Sequence, residues 1–89
     1  MTIKSIINGL NVNNRTKITI INYYKWLNRN RRRFGRMTVN TESTSNKIYG
    51  MIYILKTSEI ISEEEMDKLD KLRKISELGS GKVKKWKLF

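Results

Sequence analysis

Apolar residues near the start of the chain recur at the spacing of one helix face. The positions i, i+3, i+4 and i+7, which share one side of an α-helix, are Ile3, Ile6, Ile7 and Leu10. Gly9 is placed to end the helix in a left-handed conformation, and the run "NVNN" after Leu10 is typical of a turn. The pattern therefore predicts a short amphipathic helix over residues 3–10.

A longer helix is predicted from about Arg15 to Phe34, with Asn14 as its N-cap and Gly35 at its C-terminal end. Its second half is amphipathic at 100° per residue. The apolar face carries Ile20, Tyr24, Leu27 and Phe34, and the opposite face carries Lys25, Arg29, Arg32 and Arg36. The first half contains "TKITII", whose β-branched residues favour a strand. Residues 15–21 are therefore either a helix that is buried on all sides or not helical.

Residues 36–55 are predicted to form a β-hairpin. In "RMTVNT", Met37 and Val39 alternate with polar neighbours, as in a strand with one buried face. The polar "ESTSN" then provides a turn, and "KIYGMIYILK" has apolar residues on both faces, as a central or covered strand does. The second strand of the hairpin is therefore expected to lie inside a sheet.

The next segment has the most complete helix signature in the chain. Ser62 and Glu65 match a capping box, Ile61 and Met66 match a hydrophobic staple, and Gly79 is placed to end the helix. Acid–base pairs in the favourable order at i,i+4 are Glu64–Lys68, Asp67–Lys71 and Asp70–Lys74. An amphipathic helix is therefore predicted over about residues 63–78.

The chain closes with "KVKKWKLF", which we expect to form a basic edge strand, with Trp86 and Leu88 on one side, rather than a flexible tail. Together these elements predict one α+β domain over residues 1–89, with N-terminal helices, a hairpin, a helix and a terminal strand. A winged-helix arrangement is a variant of this architecture that the short first helix disfavours.

Composition removes most enzyme chemistries. The chain has no cysteine and no histidine, so it offers no disulfide, no Cys/His zinc site and no imidazole for acid–base catalysis near neutral pH. The glutamates at positions 63–65 fall in the first turn of a predicted helix, where carboxylates complement the helix dipole, so we expect no metal there. We therefore expect a protein without enzymatic activity, cofactor or small-molecule substrate.

The sequence contains no segment suited to a membrane. The longest uninterrupted apolar run is Met51–Leu55, far short of the roughly 20 residues that a helical span needs. The N-terminus also lacks the apolar core of a signal peptide. We therefore expect a soluble, cytoplasmic protein with no membrane partner.

Positive charge is concentrated at the two ends of the chain. The net charge is +11; residues 1–41 hold nine Lys or Arg and no acid, whereas residues 57–78 hold seven of the eight acids. Residues 79–89 hold four lysines and no acid. Such an asymmetry favours an anionic partner for the N-terminal half, most often nucleic acid.

The densest basic segment is "YYKWLNRNRRRFGR", residues 23–36, with six positive charges, four aromatic rings and no acid. Guanidinium groups bind phosphate in a bidentate manner and stack on bases. Residues 28–36 resemble the arginine-rich RNA-binding motifs, in which a short helix or hairpin lays guanidinium groups into an RNA groove. Trp26 or Tyr23 could stack on bases, and Arg31, on the apolar side of the helix, has to extend outward. The candidate residues are Lys25, Trp26, Arg29, Arg31, Arg32, Arg33 and Arg36, with Lys82, Lys84, Lys85, Trp86 and Lys87 in the terminal strand.

The sequence thus favours a small non-enzymatic protein that binds an RNA or DNA backbone through an arginine-rich helix end and a lysine-rich C-terminus. The lysines of the terminus could equally serve to protect an edge strand from aggregation. The alternative is a small phage or mobile-element inhibitor or adaptor. Such a protein would bind an acidic surface or the nucleic-acid channel of a larger protein or nucleoprotein, such as a host defence complex.

Overall fold

The computed structural model describes residues 2–79. Within this range the chain forms four α-helices and no β-strand: α1 (Ile3–Asn8), α2 (Asn14–Phe34), α3 (Val39–Thr57) and α4 (Glu63–Leu78). The predicted α+β class is therefore wrong, because the described part of the chain is an all-helical domain. The winged-helix variant is wrong for the same reason, since its wing requires a hairpin.

Helices α2, α3 and α4 pack side by side in alternating directions. The connection from α2 to α3 spans only residues 35–38, so the two helices run antiparallel. The hydroxyl of Tyr24 donates to the carbonyl of Leu69, and Arg31 Nε donates to the carbonyl of Ser76 at 2.9 Å. Each of these two bonds joins residues that are 45 apart in the sequence, so α2 and α4 run parallel. The short α1 packs against α2.

One apolar core lies between the helices. Its buried members are Ile3, Ile7, Leu10, Ile20, Ile21, Tyr24, Leu27, Ile48, Ile52, Ile61, Leu69 and Leu72. The apolar spacing read from the sequence therefore identified the buried face of α1 and most of that of α2. Burial of these side chains supplies most of the helical stability, because helices of this length are marginal in water by themselves.

The predicted hairpin over residues 36–55 is wrong, because most of this segment is helix α3. Thr38 begins the helix as its N-cap, with its side chain accepting from the backbone of Thr41. The buried face of α3 has small polar residues in its first half and isoleucine in its second half. Its members are Thr41, Thr44, Ser45, Ile48 and Ile52. This spacing is helical, but threonine and serine do not mark a buried face in a hydropathy pattern. Packing against α2 and α4 then overrides the strand preference of the β-branched residues.

Hydrogen bonds satisfy the polar side chains that α3 buries. Asn30 Nδ2 donates to Thr44 Oγ1 at 2.7 Å, which joins α3 to α2. Ser45 Oγ accepts from Arg73 Nη1 at 2.7 Å and donates to Glu77 Oε2 at 3.1 Å, which joins α3 to α4. Buried polar groups with partners of this kind cost little and restrict the register of the helices.

Helix α2 is predicted almost within its true bounds, although several details differ. Asn13 rather than Asn14 is the N-cap, and residues 15–21 are helical. Ile18 is 59% exposed, so this half of α2 is a helix without being buried on all sides. Phe34 was expected in the core but is exposed.

Three further details of the predicted elements are wrong. Gly9 follows α1 in a right-handed conformation, with φ −81° and ψ −5°, so it provides no left-handed stop. Met37 and Val39, expected to point inward from a strand, are both exposed.

The α4 prediction is confirmed. Ser62 and Glu65 form the capping box, with the Ser62 backbone donating to Glu65 Oε1 at 3.0 Å and the Glu65 backbone donating to Ser62 Oγ at 3.1 Å. Gly79 ends the helix with φ 91°, a conformation that favours glycine. Of the three predicted i,i+4 ion pairs, only Asp70–Lys74 is closer than 4 Å, at 3.6 Å. The predicted basic edge strand lies outside the described residues.

Candidate nucleic-acid interface

Four cations lie on the exposed side of the C-terminal half of α2. This basic face comprises Lys25, Arg29, Arg32 and Arg33, all of which are exposed. Arg36 is also exposed and follows the helix directly after Gly35. The face arises because these positions fall on the side of the helix opposite the buried Tyr24 and Leu27. The pattern read from the sequence named Lys25, Arg29 and Arg32 on this side, as observed. Arg33 joins them there, whereas Arg36, which was also named, lies beyond the end of the helix.

The basic face borders a shallow depression of about 480 Å³, lined by Lys25, Asn28, Arg29, Arg32 and Arg33. No carboxylate neutralises it within the described residues, because every ion pair closer than 4 Å there joins two side chains of α4. The Arg33 guanidinium lies 5.4 Å from the centroid of the Phe34 ring, so this cation rests on an exposed aromatic side chain. Among the described residues the face thus carries positive charge without a neighbouring acid.

Arg31 has a different environment from the other arginines. Its Nε donates to the carbonyl of Ser76, and its Nη2 donates to Asn28 Oδ1. Ser76 lies in the last turn of α4, where carbonyls lack intrahelical partners, so the guanidinium caps that helix. Partial burial and the neighbouring Arg32 charge lower the pKa of Arg31. Arg31 therefore joins α2 to α4, and we do not include it in the basic face.

Trp26 lies at the border between the basic face and α3. Its ring centroid is 6.1 Å from that of Tyr23, and the Lys47 ammonium lies 5.1 Å from its centroid. Both aromatic side chains are half-buried and line an open depression together with Thr19 and Asn22. The pair is therefore partly accessible, whereas Tyr24 is buried in the core as expected.

Two cations outside the basic face were not predicted as candidate residues. Arg15 is exposed and lies 18 residues before Arg33, which is five full turns, so both lie on one side of α2. Helical periodicity could have identified it, but its half of the helix was ambiguous. Lys47 was assigned to a strand, so its position beside Trp26 could not be predicted. The lysines at 82, 84, 85 and 87, and Trp86, lie outside the described residues.

Glu65 has a structural role at the start of α4. Glu65 Oε1 accepts from the Ser62 backbone, and its Oε2 accepts from the Asn11 backbone at 3.1 Å. These bonds, chiefly the one from Ser62, lower the pKa of Glu65. Residues 2–79 contain no group of three or more acidic, histidine or cysteine side chains placed to hold a metal ion. In the same range no helix is both long and apolar enough to cross a membrane.

Comparison of the chain with protein-family models, with curated proteins and with solved structures gave no match.

Proposed function

We propose that this protein binds the sugar–phosphate backbone of nucleic acid through the basic face and Arg36. The observation that carries the proposal is an exposed cluster of cations, four of them on one side of α2, with no carboxylate within 4 Å among the described residues. An unpaired cationic surface of this kind binds phosphate mainly by releasing condensed counterions. Arginine adds bidentate hydrogen bonds to phosphate oxygens.

The charges on α4 also favour the basic face of α2 as the binding surface. Six acids, at positions 63, 64, 65, 67, 70 and 77, lie on α4, and its ion pairs join Asp70 and Glu77 to Arg73 or Lys74. Four bases, at positions 68, 71, 73 and 74, also lie on α4, so its net charge is −2 and a polyanion is attracted to the basic face of α2 rather than to α4. Base identity contributes little to such binding, because phosphate contacts carry no sequence information.

The experiment is a binding isotherm for unrelated single- and double-stranded oligonucleotides, repeated across salt concentrations. Five phosphate contacts predict a slope of about −4 to −5 in log K against log salt for duplex DNA, or several hundredfold weaker binding between ~50 and ~200 mM. Arg29→Ala, Arg32→Ala and Arg33→Ala should each weaken binding similarly for all sequences and reduce the slope by about one unit.

Lys74→Ala is the matched control, because it removes one positive charge from α4, where the ammonium lies 3.6 Å from Asp70. This variant should keep the parent slope. A triple Arg29, Arg32 and Arg33 alanine variant that binds as tightly as the parent refutes the proposal. Absence of binding at roughly 100 μM protein and ~0.15 M salt refutes it too, and favours an acidic protein surface as the partner.

A further inference from the structure

A stripe of five residues runs along the outer side of α3. The α3 stripe consists of Glu42, Asn46, Tyr49, Tyr53 and Lys56, whose spacings of four, three, four and three residues keep them on one side of the helix. Tyr49 is 44% exposed and Tyr53 is 50% exposed. The stripe therefore presents two large aromatic side chains to solvent between an acid at one end and a base at the other.

Neighbouring side chains pack against the two tyrosines within the chain. Their rings are stacked, with centroids 6.4 Å apart and an interplanar angle of 20°. The Arg73 guanidinium lies 5.3 Å from the Tyr49 centroid and is itself bonded to Asp70. Ordered aromatic side chains lose little conformational freedom on association, which makes them effective centres of an interface.

Gly50 lies beside the stripe in the middle of α3. Glycine in a helix interior lowers helix stability relative to alanine. Nothing within the described residues requires it, because a Cβ at Gly50 would have no atom within 4 Å and no positive φ is present there. The missing side chain leaves room for a second backbone to approach closely at this point.

The charges of the α3 stripe are self-complementary. Glu42 and Lys56 are 14 residues apart, about 21 Å along the helix axis. In an antiparallel pair related by a two-fold axis near Tyr49, Glu42 of each copy lies level with Lys56 of the other. Neither residue has an ion pair closer than 4 Å within residues 2–79. We infer that this surface binds a second copy of the chain, with α3 packed antiparallel against α3 of the partner.

The stripe fits a second copy better than it fits nucleic acid. Its net charge is zero in a chain of net charge +11, so two copies of the stripe meet without the repulsion that acts between two cationic surfaces. Glu42 would repel a phosphate backbone, whereas a second copy provides the matching lysine. The inference is independent of the proposed function, since it uses no residue of the basic face.

The test is sedimentation equilibrium of the full chain from ~1 μM to ~1 mM. Small interfaces are weak, so we expect a dimer with a dissociation constant on the order of 10–100 μM. Glu42→Lys or Lys56→Glu alone replaces two attractions with two repulsions and should weaken the dimer about tenfold or more. The double variant should recover the parent affinity, and Met37→Ser, at an exposed position outside the stripe, should leave it unchanged. A parent that is monomeric at ~1 mM, or a double variant no tighter than the single ones, overturns the inference.

A second measurement applies if the reversed charges disturb the helix dipole and unfold α3. The chain contains no cysteine, so an introduced thiol is unique. An oxidised mixture of Glu42→Cys and Lys56→Cys chains should yield mixed disulfides at least fivefold above those between Val39→Cys and Lys56→Cys chains. Equal yields in the two mixtures would contradict the antiparallel arrangement, because Val39 is exposed but lies outside the stripe.

Discussion

Arg31 and Arg32 are adjacent in sequence and identical in chemistry, yet the structure predicts that replacing each by alanine affects a different property of the protein. Arg31 bonds the carbonyl of Ser76 and the amide of Asn28, whose side chain is 2% exposed. Arg32 points to solvent on the basic face. Arg31→Ala should therefore destabilise the fold, and Arg32→Ala should weaken nucleic-acid binding with little effect on stability.

The expected loss follows from the bonds that each substitution removes. Hydrogen bonds to a charged group contribute about 1.5–3 kcal/mol each, and removal of Arg31 also leaves the buried Asn28 amide with one partner fewer. The lower end for two bonds is about 3 kcal/mol. Because Arg31 is only partly buried, solvent screening reduces this, and we expect about 2 kcal/mol. In a domain of this size that loss lowers Tm by roughly 8–16 °C. Arg32→Ala should stay within about 0.5 kcal/mol of the parent.

Urea unfolding followed by circular dichroism at 222 nm measures the free energy of unfolding of the parent, of Arg31→Ala and of Arg32→Ala. Arg31→Lys is a useful intermediate, since it keeps the charge but cannot reproduce two directed bonds from a planar group. An Arg31→Ala variant within about 0.5 kcal/mol of the parent would refute the assignment of Arg31 to the α2–α4 contact. Equal destabilisation by Arg32→Ala would refute the distinction between the two arginines.

Three further predictions concern α4. Ser62→Ala should lower the free energy of unfolding by about 0.5–2 kcal/mol, because the helix loses its cap. Chelators should leave the melting curve of the parent unchanged, and a chelator-dependent fall in Tm would instead indicate a bound metal. The pKa of Glu65 is lowered in the folded state, so its carboxylate stabilises the fold above its unfolded pKa of about 4.3, and this contribution is lost as the pH falls through the lower folded value. The stability difference between the parent and Glu65→Gln should therefore be constant above about pH 5 and shrink below pH ~4; a difference independent of pH would contradict the bonds to Ser62 and Asn11. Ser76 Oγ is buried without a hydrogen-bond partner in the described structure. Ser76→Ala should therefore leave the stability unchanged or raise it by up to about 1 kcal/mol. A clear loss of stability, measured by calorimetry, would show that the hydroxyl has a partner.

Local chemistry determined α4 and the C-terminal end of α2 almost completely. Ser62 and Glu65 are three residues apart, so their reciprocal bonds form within one turn and need no tertiary contact. Gly35 and Gly79 both have positive φ at a helix end, which favours glycine independently of the rest of the fold. The amphipathic pattern of α2 likewise places Lys25, Arg29, Arg32 and Arg33 on one side, because that placement follows from helical periodicity alone.

Only the tertiary structure decided α3 and the role of Arg31. The run from Ile48 to Leu55 is rich in β-branched and aromatic residues, and a single sequence offers no sign that α2 and α4 will cover one side of it. Its buried face begins at Thr41 with hydroxyl side chains. Thr41 and Thr44 donate to the nearby carbonyls of Gly35 and Asn40, whereas the bonds from Asn30 to Thr44 and from Arg73 to Ser45 join groups distant in sequence. Arg31 is separated from its acceptor on α4 by 45 residues. Such partners are set by how the helices pack, so periodicity along one helix cannot distinguish this arginine from its neighbours.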